Sequence, residues 1–440
     1  MDAMRTRMRC TLLRSCGVAL LLLGAAAAWA QGPVTLKVSS EVGIHTEAWK
    51  TDLPALEKAT GLKVDLTQFP FQKYREMLML DYTGGTPSYD VSYVSYGWYR
   101  SLVNGGYLEP FDSFDLKALN LDDIPNMSLY PEKGKIYFVP YMNEIAGILY
   151  RKDLFEDPKE QAAFRAKYGY PLAPPRTFAQ YRDLAEFFHR PPALYGVSLM
   201  GKRSVFLTVH FANRLWGQGG DILDEKMRPA FNSEAGVQAL RDLKEMFKYS
   251  NPASPTHLFA EAVGEFQQGK SAMIEIWSTV MLYVEDPKTS KVVGKVGFAP
   301  VPKTQATLAR KVPYLYIGWG FIINKASQKK KEAFEFVKFI TSRDSEIRTT
   351  PHGNIPARFS VLDHPQVNQT LPWMRTIKQT MEANTLTPIY PWIPEGATIS
   401  ADILPIALTQ YLSGEKEAKP ALDDSAREVQ RLLEKGGYYK

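Results

Sequence analysis

The sequence predicts an α/β protein of two lobes, and three observations predict it. The opening third runs strand, helix, strand, helix, strand, a rhythm that right-handed crossovers turn into a largely parallel sheet. After about residue 130 the rhythm changes to paired strand-like runs followed by mostly helical material. The chain has 440 residues, more than the ~250–300 at which single cores stop growing.

The elements follow in order. Val34–Ser39 alternates as a strand should, and His45–Thr60 is helix-like and closes at Gly61. Leu62–Phe69 is the second strand, and Gln72–Tyr82 the next helix, stopping at Gly84-Gly85. Asp90–Val94, the third strand, runs into Ser95-Tyr96-Gly97-Trp98. Sheets of this kind hold ligands outside the carboxyl ends of their strands. The segments placed there are Ser40–His45, Pro70-Phe71 and Ser95–Trp98.

Ile136–Pro140 and Ile145–Tyr150 then read as two strands separated by Tyr141–Glu144. Thr177–His189 starts at a Thr cap, and Ser233–Lys248 at a Ser or Asn cap. Leu258–Gln268 reads as a helix leading into the strand Ser271–Trp277, and Tyr314–Ile323 as a buried strand interrupted by Gly318-Trp319-Gly320. Helices at Gln328–Thr341, near Trp373–Glu382, at Asp402–Leu412 and at Ala418–Lys435 complete the chain.

The first thirty residues have the layout of a cleaved signal peptide. Arg5, Arg7, Arg9 and Arg14 precede the apolar run Val18–Leu23, and Ala28-Trp29-Ala30 supplies a small-x-small site. The apolar run is shorter than the ~20 residues of a membrane span. Cleavage after Ala30 and export follow as the expectation, with an uncleaved N-terminal anchor as the alternative. Cys10 and Cys16 both fall in this leader, so the mature chain has no thiol chemistry, disulfide or cysteine-ligated metal. Of the net charge of +6, the leader carries +3, and the remaining basic residues are scattered except for Lys329–Lys331. A nucleic-acid partner, which needs a clustered basic face, is therefore not expected.

Eight Trp and 23 Tyr are many for this length, and several stand beside Gly or Pro. Such rings suit the apolar faces of amphipathic ligands. Trp319 carries the sharpest signal, because flanking glycines let a backbone or a ligand approach closely. Trp277 ends a strand and Trp98 follows one, while Trp216 and Trp392 could simply brace loops.

Other motifs say less. Gly264–Ser271 spells GxxxxGK[ST], but a phosphate loop needs strand, loop, then helix, and here the order is helix, then strand. The six His show no zinc-hydrolase spacing, and there is no GxSxG elbow. No metal and no cofactor are expected. Glu41, Glu144 and Glu275 stand near strand ends, with no spacing that marks an acid/base pair.

Several stretches resemble one family: Gly134–Phe155, Leu215–Glu225, Phe266–Trp277 and Gly318–Ser327, with Tyr89–Phe111 and Leu412–Leu433 in support. In this order they resemble extracellular solute-binding proteins of family 1, the sugar-type receptors of ABC importers related to maltose-binding protein. The resemblance covers nearly the whole mature chain. It implies a two-lobed periplasmic-binding-protein fold of type II, with crossover hinge strands and a cleft between the lobes. Residues 31–141 and 322–370 would form the N-terminal lobe, and 142–321 with 371–440 the C-terminal lobe.

The resemblance also implies a role. The protein would capture a sugar, either an oligosaccharide or a polyol, perform no chemistry, and deliver the ligand to a membrane permease as a periplasmic or extracellular monomer. Trp277 and Trp319 would stack on the ligand, and Glu41, Asn143 and Arg358 would hydrogen-bond its hydroxyls. His45, Tyr96, Trp98, Tyr141 and Gly318 complete the expected site. Three departures bear on the ligand: Arg151 follows Tyr150, no acid follows Ser95, and Tyr141-Met142 is bulky. Two alternatives stay open, an exported glycosidase or lyase, and a same-fold receptor for a glycerophosphodiester, a polyamine or iron.

Overall fold

The computed structural model describes residues 34–84 and 88–439. The leader with its two cysteines lies outside the described residues, as does Gly85. Ten strands occur among the described residues: β1 (Thr35–Glu41), β2 (Lys63–Phe69), β3 (Val91–Ser95), β4 (Leu108–Glu109), β5 (Val139–Arg151), β6 (Tyr195–Ser198), β7 (Ser271–Trp277), β8 (Val296–Pro300), β9 (Pro313–Asn324) and β10 (Thr385–Pro388). They run β2-β1-β3-β9-β5-β7-β6, with β4 and β10 beside β9 and β8 beside β5.

β1 lies parallel to both β2 and β3, as the strand–helix rhythm predicts. Beyond them the sheet is mixed, because β5 and β9 are antiparallel neighbours and β3 is antiparallel to β9. β5 joins the two halves. It pairs with β9 from Val139 to Ile145, then with β7 from Ala146 and β8 from Gly147. One strand thus passes from the sheet of the first lobe into that of the second.

Three local readings are corrected. The expected break at Tyr141–Glu144 is absent, and a register shift between Pro140 and Met142 lets β5 run through as one strand. The helix expected over His45–Thr60 is two helices, Ile44–Lys50 and Leu53–Thr60. Pro54 sits at the start of the second, where its missing N–H costs nothing. The chain also forms an unforeseen helix, Val205–Gly217, capped by Ser204 and almost wholly buried. The apparent phosphate loop is the end of the helix Phe259–Gln267, with Gly269 at φ 70° turning the chain into β7.

Among the described residues, no helix is long and apolar enough to cross a membrane. The main core draws buried side chains from β1, β3, β5, β7 and β9, and a smaller cluster gathers Phe155, Phe164, Phe188 and Val197 of the second lobe.

Candidate ligand-binding site

The carboxyl ends of β1, β3 and β7 open on one cavity of about 200 Å³. Glu41 ends β1, His45 lies in the first turn of the next helix, Phe71 follows β2, and Ser95 and Tyr96 close β3. The opposite wall comes from the second lobe: Val205, Phe206 and Val209, then Phe259, Trp277, Thr279 and Tyr283. Glu144 and Ile317 enter from the crossing strands β5 and β9, Trp319 from β9, and Ile389 and Tyr390 follow β10. Both lobes therefore contribute to one mainly apolar space with a few convergent polar groups, the usual character of a small-molecule site.

Each indole is held from behind. Trp319 packs against His45 at a centroid distance of 5.3 Å, Trp98 at 5.4 Å and Tyr93 at 5.6 Å. Trp277 stacks on Phe259 at 5.4 Å with planes 10° apart, and leans on Phe206 at 5.4 Å. Such bracing fixes the ring orientation before a ligand arrives, which lowers the ordering cost of binding.

The polar groups form a compact set. His45 Nε2 meets Glu41 Oε1, and a Cβ at Gly43 would lie 2.5 Å from that oxygen, so the glycine leaves the pair room to close. Burial disfavours the charged imidazole, but the Glu41 carboxylate and the field of Glu144 outweigh it and raise the pKa. Glu144 Oε2 accepts from the Thr279 hydroxyl and from the Thr279 N–H at 3.2 Å. Burial pushes the Glu144 carboxyl up to about 7 against the pull of Thr279 and His45.

The structure brings Glu41, His45, Tyr96, Trp277 and Trp319 to the cavity. It places the other five candidates elsewhere. Arg358 is 2% exposed, and its guanidinium donates to the carbonyls of Leu119 at 2.7 Å, Asn120 at 2.7 Å and Thr341 at 2.8 Å. It ties loops of the first lobe together, and it is not among the residues that line the cavity. Asn143 is fully buried, accepting from Tyr316 Oη at 2.6 Å and donating to the Ala357 carbonyl at 3.3 Å. Strand alternation turns it away from the face that carries Glu144.

Tyr141 is buried and donates to Thr349 Oγ1 at 2.7 Å. Trp98 supports Trp319 and Tyr74 from outside the lining. Gly318 serves packing, since a Cβ there would meet Tyr130 Oη at 2.9 Å. Trp216 donates to Asp221 at 3.0 Å, bracing its loop, and Trp392 lies under Arg100 at 4.6 Å.

Sequence reasoning found Trp277 but missed the rest of the second-lobe wall. Val205, Phe206 and Val209 belong to the helix it did not foresee, although Ser204 before an apolar run was a readable start signal. Thr279 and Tyr283 follow β7 too closely for a motif to mark them.

Comparison with known proteins points to one family and fold. The profile of bacterial extracellular solute-binding proteins matches residues 43–347. A probable amino-acid ABC transporter periplasmic-binding protein of Sinorhizobium fredii is 25% identical over 92% of this chain and 90% of its own. The mannitol-binding protein of Pseudomonas aeruginosa is 27% identical over 76% of this chain and 79% of its own. Among solved structures, an ABC transporter solute-binding protein of Agrobacterium radiobacter in complex with ribitol superposes with a TM-score of 0.76. It is 26% identical, over 91% of this chain and 98% of that one. With a profile match over well more than half its length and a cavity shared by two lobes, this chain belongs to the bacterial extracellular solute-binding protein family.

Proposed function

We propose that the protein is the receptor of an ABC importer that captures a small sugar or polyol between its lobes and hands it to a membrane permease. One observation carries the reading: Trp319 from β9 and Trp277 from β7 line the same cavity as Glu41 and Glu144. Indole faces suit the C–H flank of a sugar or alditol, and carboxylates suit its hydroxyls. A volume of about 200 Å³ lies below the ~300–1,000 Å³ of drug-sized pockets, which favours a single-sugar or alditol ligand over an oligosaccharide. The relatives' names differ, an amino acid in one and mannitol in another. The site chemistry and the ribitol-bound neighbour favour the second.

In this reading the protein performs no catalysis, works as a monomer, and is exported with removal of residues 1–30. Its halves are residues 31–141 with 322–370, and 142–321 with 371–440. The change of partner within β5 supports such a division. One ligand touching both halves favours the closed form through its extra interactions.

A thermal-shift screen over alditols, monosaccharides, disaccharides and amino acids tests the ligand. Saturation at a hundred times the dissociation constant adds about 2.7 kcal/mol of stability. Trp319→Ala is expected to weaken the best ligand at least tenfold, the equivalent of about 1.4 kcal/mol. An unchanged titration would remove Trp319 from the site. Release of product from oligosaccharides during incubation would favour the glycosidase alternative instead.

A further inference from the structure

Every side chain lining the cavity can be sorted by what it offers a ligand. No lysine, arginine, asparagine or glutamine is among them. The strong acceptors are two carboxylates, and each keeps one oxygen without a protein partner among the described residues: Glu41 Oε2 and Glu144 Oε1. The one ionisable cation is His45, already engaged by Glu41 through Nε2, while its Nδ1 is buried without a partner. The two carboxylates reach the cavity from different parts of the fold. Glu41 is held by the first-lobe helix through His45, and Glu144 stands on the crossing strand and is held by Thr279 of the second lobe.

We infer that Glu41, His45 and Glu144 form a specificity clamp that reads hydroxyl hydrogens, so the receptor accepts neutral polyols and rejects their carboxylated counterparts. The inference rests on the proposed sugar or polyol ligand and narrows it. A hydroxyl donating to Glu41 Oε2 or Glu144 Oε1 makes a charge-assisted bond, about twice as strong as a neutral one. His45 positions Glu41 by holding Oε1 through Nε2, which leaves Oε2 as the oxygen available to the ligand. A ligand carboxylate at the same place would stand against two acidic groups. It would lose its hydration and gain no free cation, because Glu41 holds the imidazole. Thr279 is the positioning residue: its hydroxyl and N–H fix Glu144 Oε2, which leaves Oε1 as the oxygen available to the ligand.

The test measures, by calorimetry at pH 8.5, above the value of about 7 to which burial pushes the Glu144 carboxyl and so with that group ionised, the affinity of the purified mature receptor for two matched pairs, mannitol against mannonate and ribitol against ribonate. For the better-bound alditol, the wild type is expected to prefer the alditol over its acid by at least a hundredfold. Glu144→Gln keeps the shape and removes the charge. It should weaken the alditol and narrow the preference at least tenfold, with a melting temperature showing that the variant is folded. Thr279→Val should weaken the alditol while retaining most of the discrimination, since the carboxylate remains.

Equal binding of acid and alditol by the wild type would overturn the clamp and leave the polyol reading standing. So would an unchanged preference in Glu144→Gln. Failure of the wild type to bind any alditol or sugar would overturn the proposed ligand class, and the clamp with it.

Discussion

Asn143 and Glu144 are neighbours in the chain and face opposite sides of β5. One is locked to Tyr316 and Ala357, and the other stands in the cavity. A side chain's chemistry therefore says what it can bind, but strand phase decides whether it meets ligand. Arg358 makes the same point. Its type suits hydroxyl recognition, yet its guanidinium is buried and donates to three backbone carbonyls, and Glu346 lies 3.8 Å away. Arg358→Ala is expected to destabilise the protein by about 3–5 kcal/mol, the usual cost of removing one member of a buried charged set. Urea unfolding measures that loss, and the folded fraction should bind ligand as the wild type does. A selective loss of affinity with normal stability would return Arg358 to the binding site.

Glycines separate two kinds of element packing. In β9, a Cβ on Gly320 would lie 2.2 Å from the Val139 carbonyl oxygen, so the β5–β9 crossing needs glycine there. The Gly-Trp-Gly signature was readable as a place of close approach, but the approaching group at Gly320 is the backbone of β5, not ligand. In the helix Phe259–Gln267, Gly264 has nothing within 4 Å of a Cβ position. Gly320→Ala is expected to cost about 1–3 kcal/mol through overpacking. Gly264→Ala should add roughly 0.5–1 kcal/mol from helix propensity. Denaturant midpoints of the two variants should therefore move in opposite directions. The same helix shows why the phosphate-loop spelling misled: its letters fall on a helix end and a turn, whereas phosphate binding needs a helix beginning.

At the scale of the whole molecule, three buried carboxyls set a pH profile. Burial pushes Glu144 up to about 7 and Glu346 up to about 8, the latter despite the nearby Arg358 guanidinium. Burial also acts on Glu275, but the Arg214 guanidinium and the hydrogen bonds from His210 Nδ1 and Arg214 outweigh it and hold that carboxyl at about 2. An unfolded glutamate releases its proton near 4.5. From there up to 7 or 8 the folded protein keeps protons that the unfolded chain has lost, so stability falls as pH rises, by at most about 1.4 kcal/mol per unit per group. His45 acts in the same direction, because its raised pKa gives stability that is lost as pH climbs through the folded value. Glu275 acts oppositely: its contribution is present above 4.5 and disappears as pH falls toward 2. The melting temperature is expected to peak near pH 5 and decline toward pH 8. The double variant Glu144→Gln, Glu346→Gln should flatten that decline, and an unaltered slope would show that these carboxyls titrate normally.

The sequence by itself determined the α/β class, the parallel opening β1–β3, the Thr177 cap and the family. Each rests on local periodicity, local capping chemistry, or the order of stretches along the chain. It also pointed to the loops after β1 and β3 and to both indoles, because strand ends and glycine neighbours are visible in one dimension. Only the tertiary structure decided which polar residues face the cavity, that β5 runs unbroken between the two sheets, and that a buried second-lobe helix supplies part of the wall. Those outcomes depend on strand phase, on a register shift and on long-range packing, which join residues more than a hundred positions apart and leave no mark in local spacing.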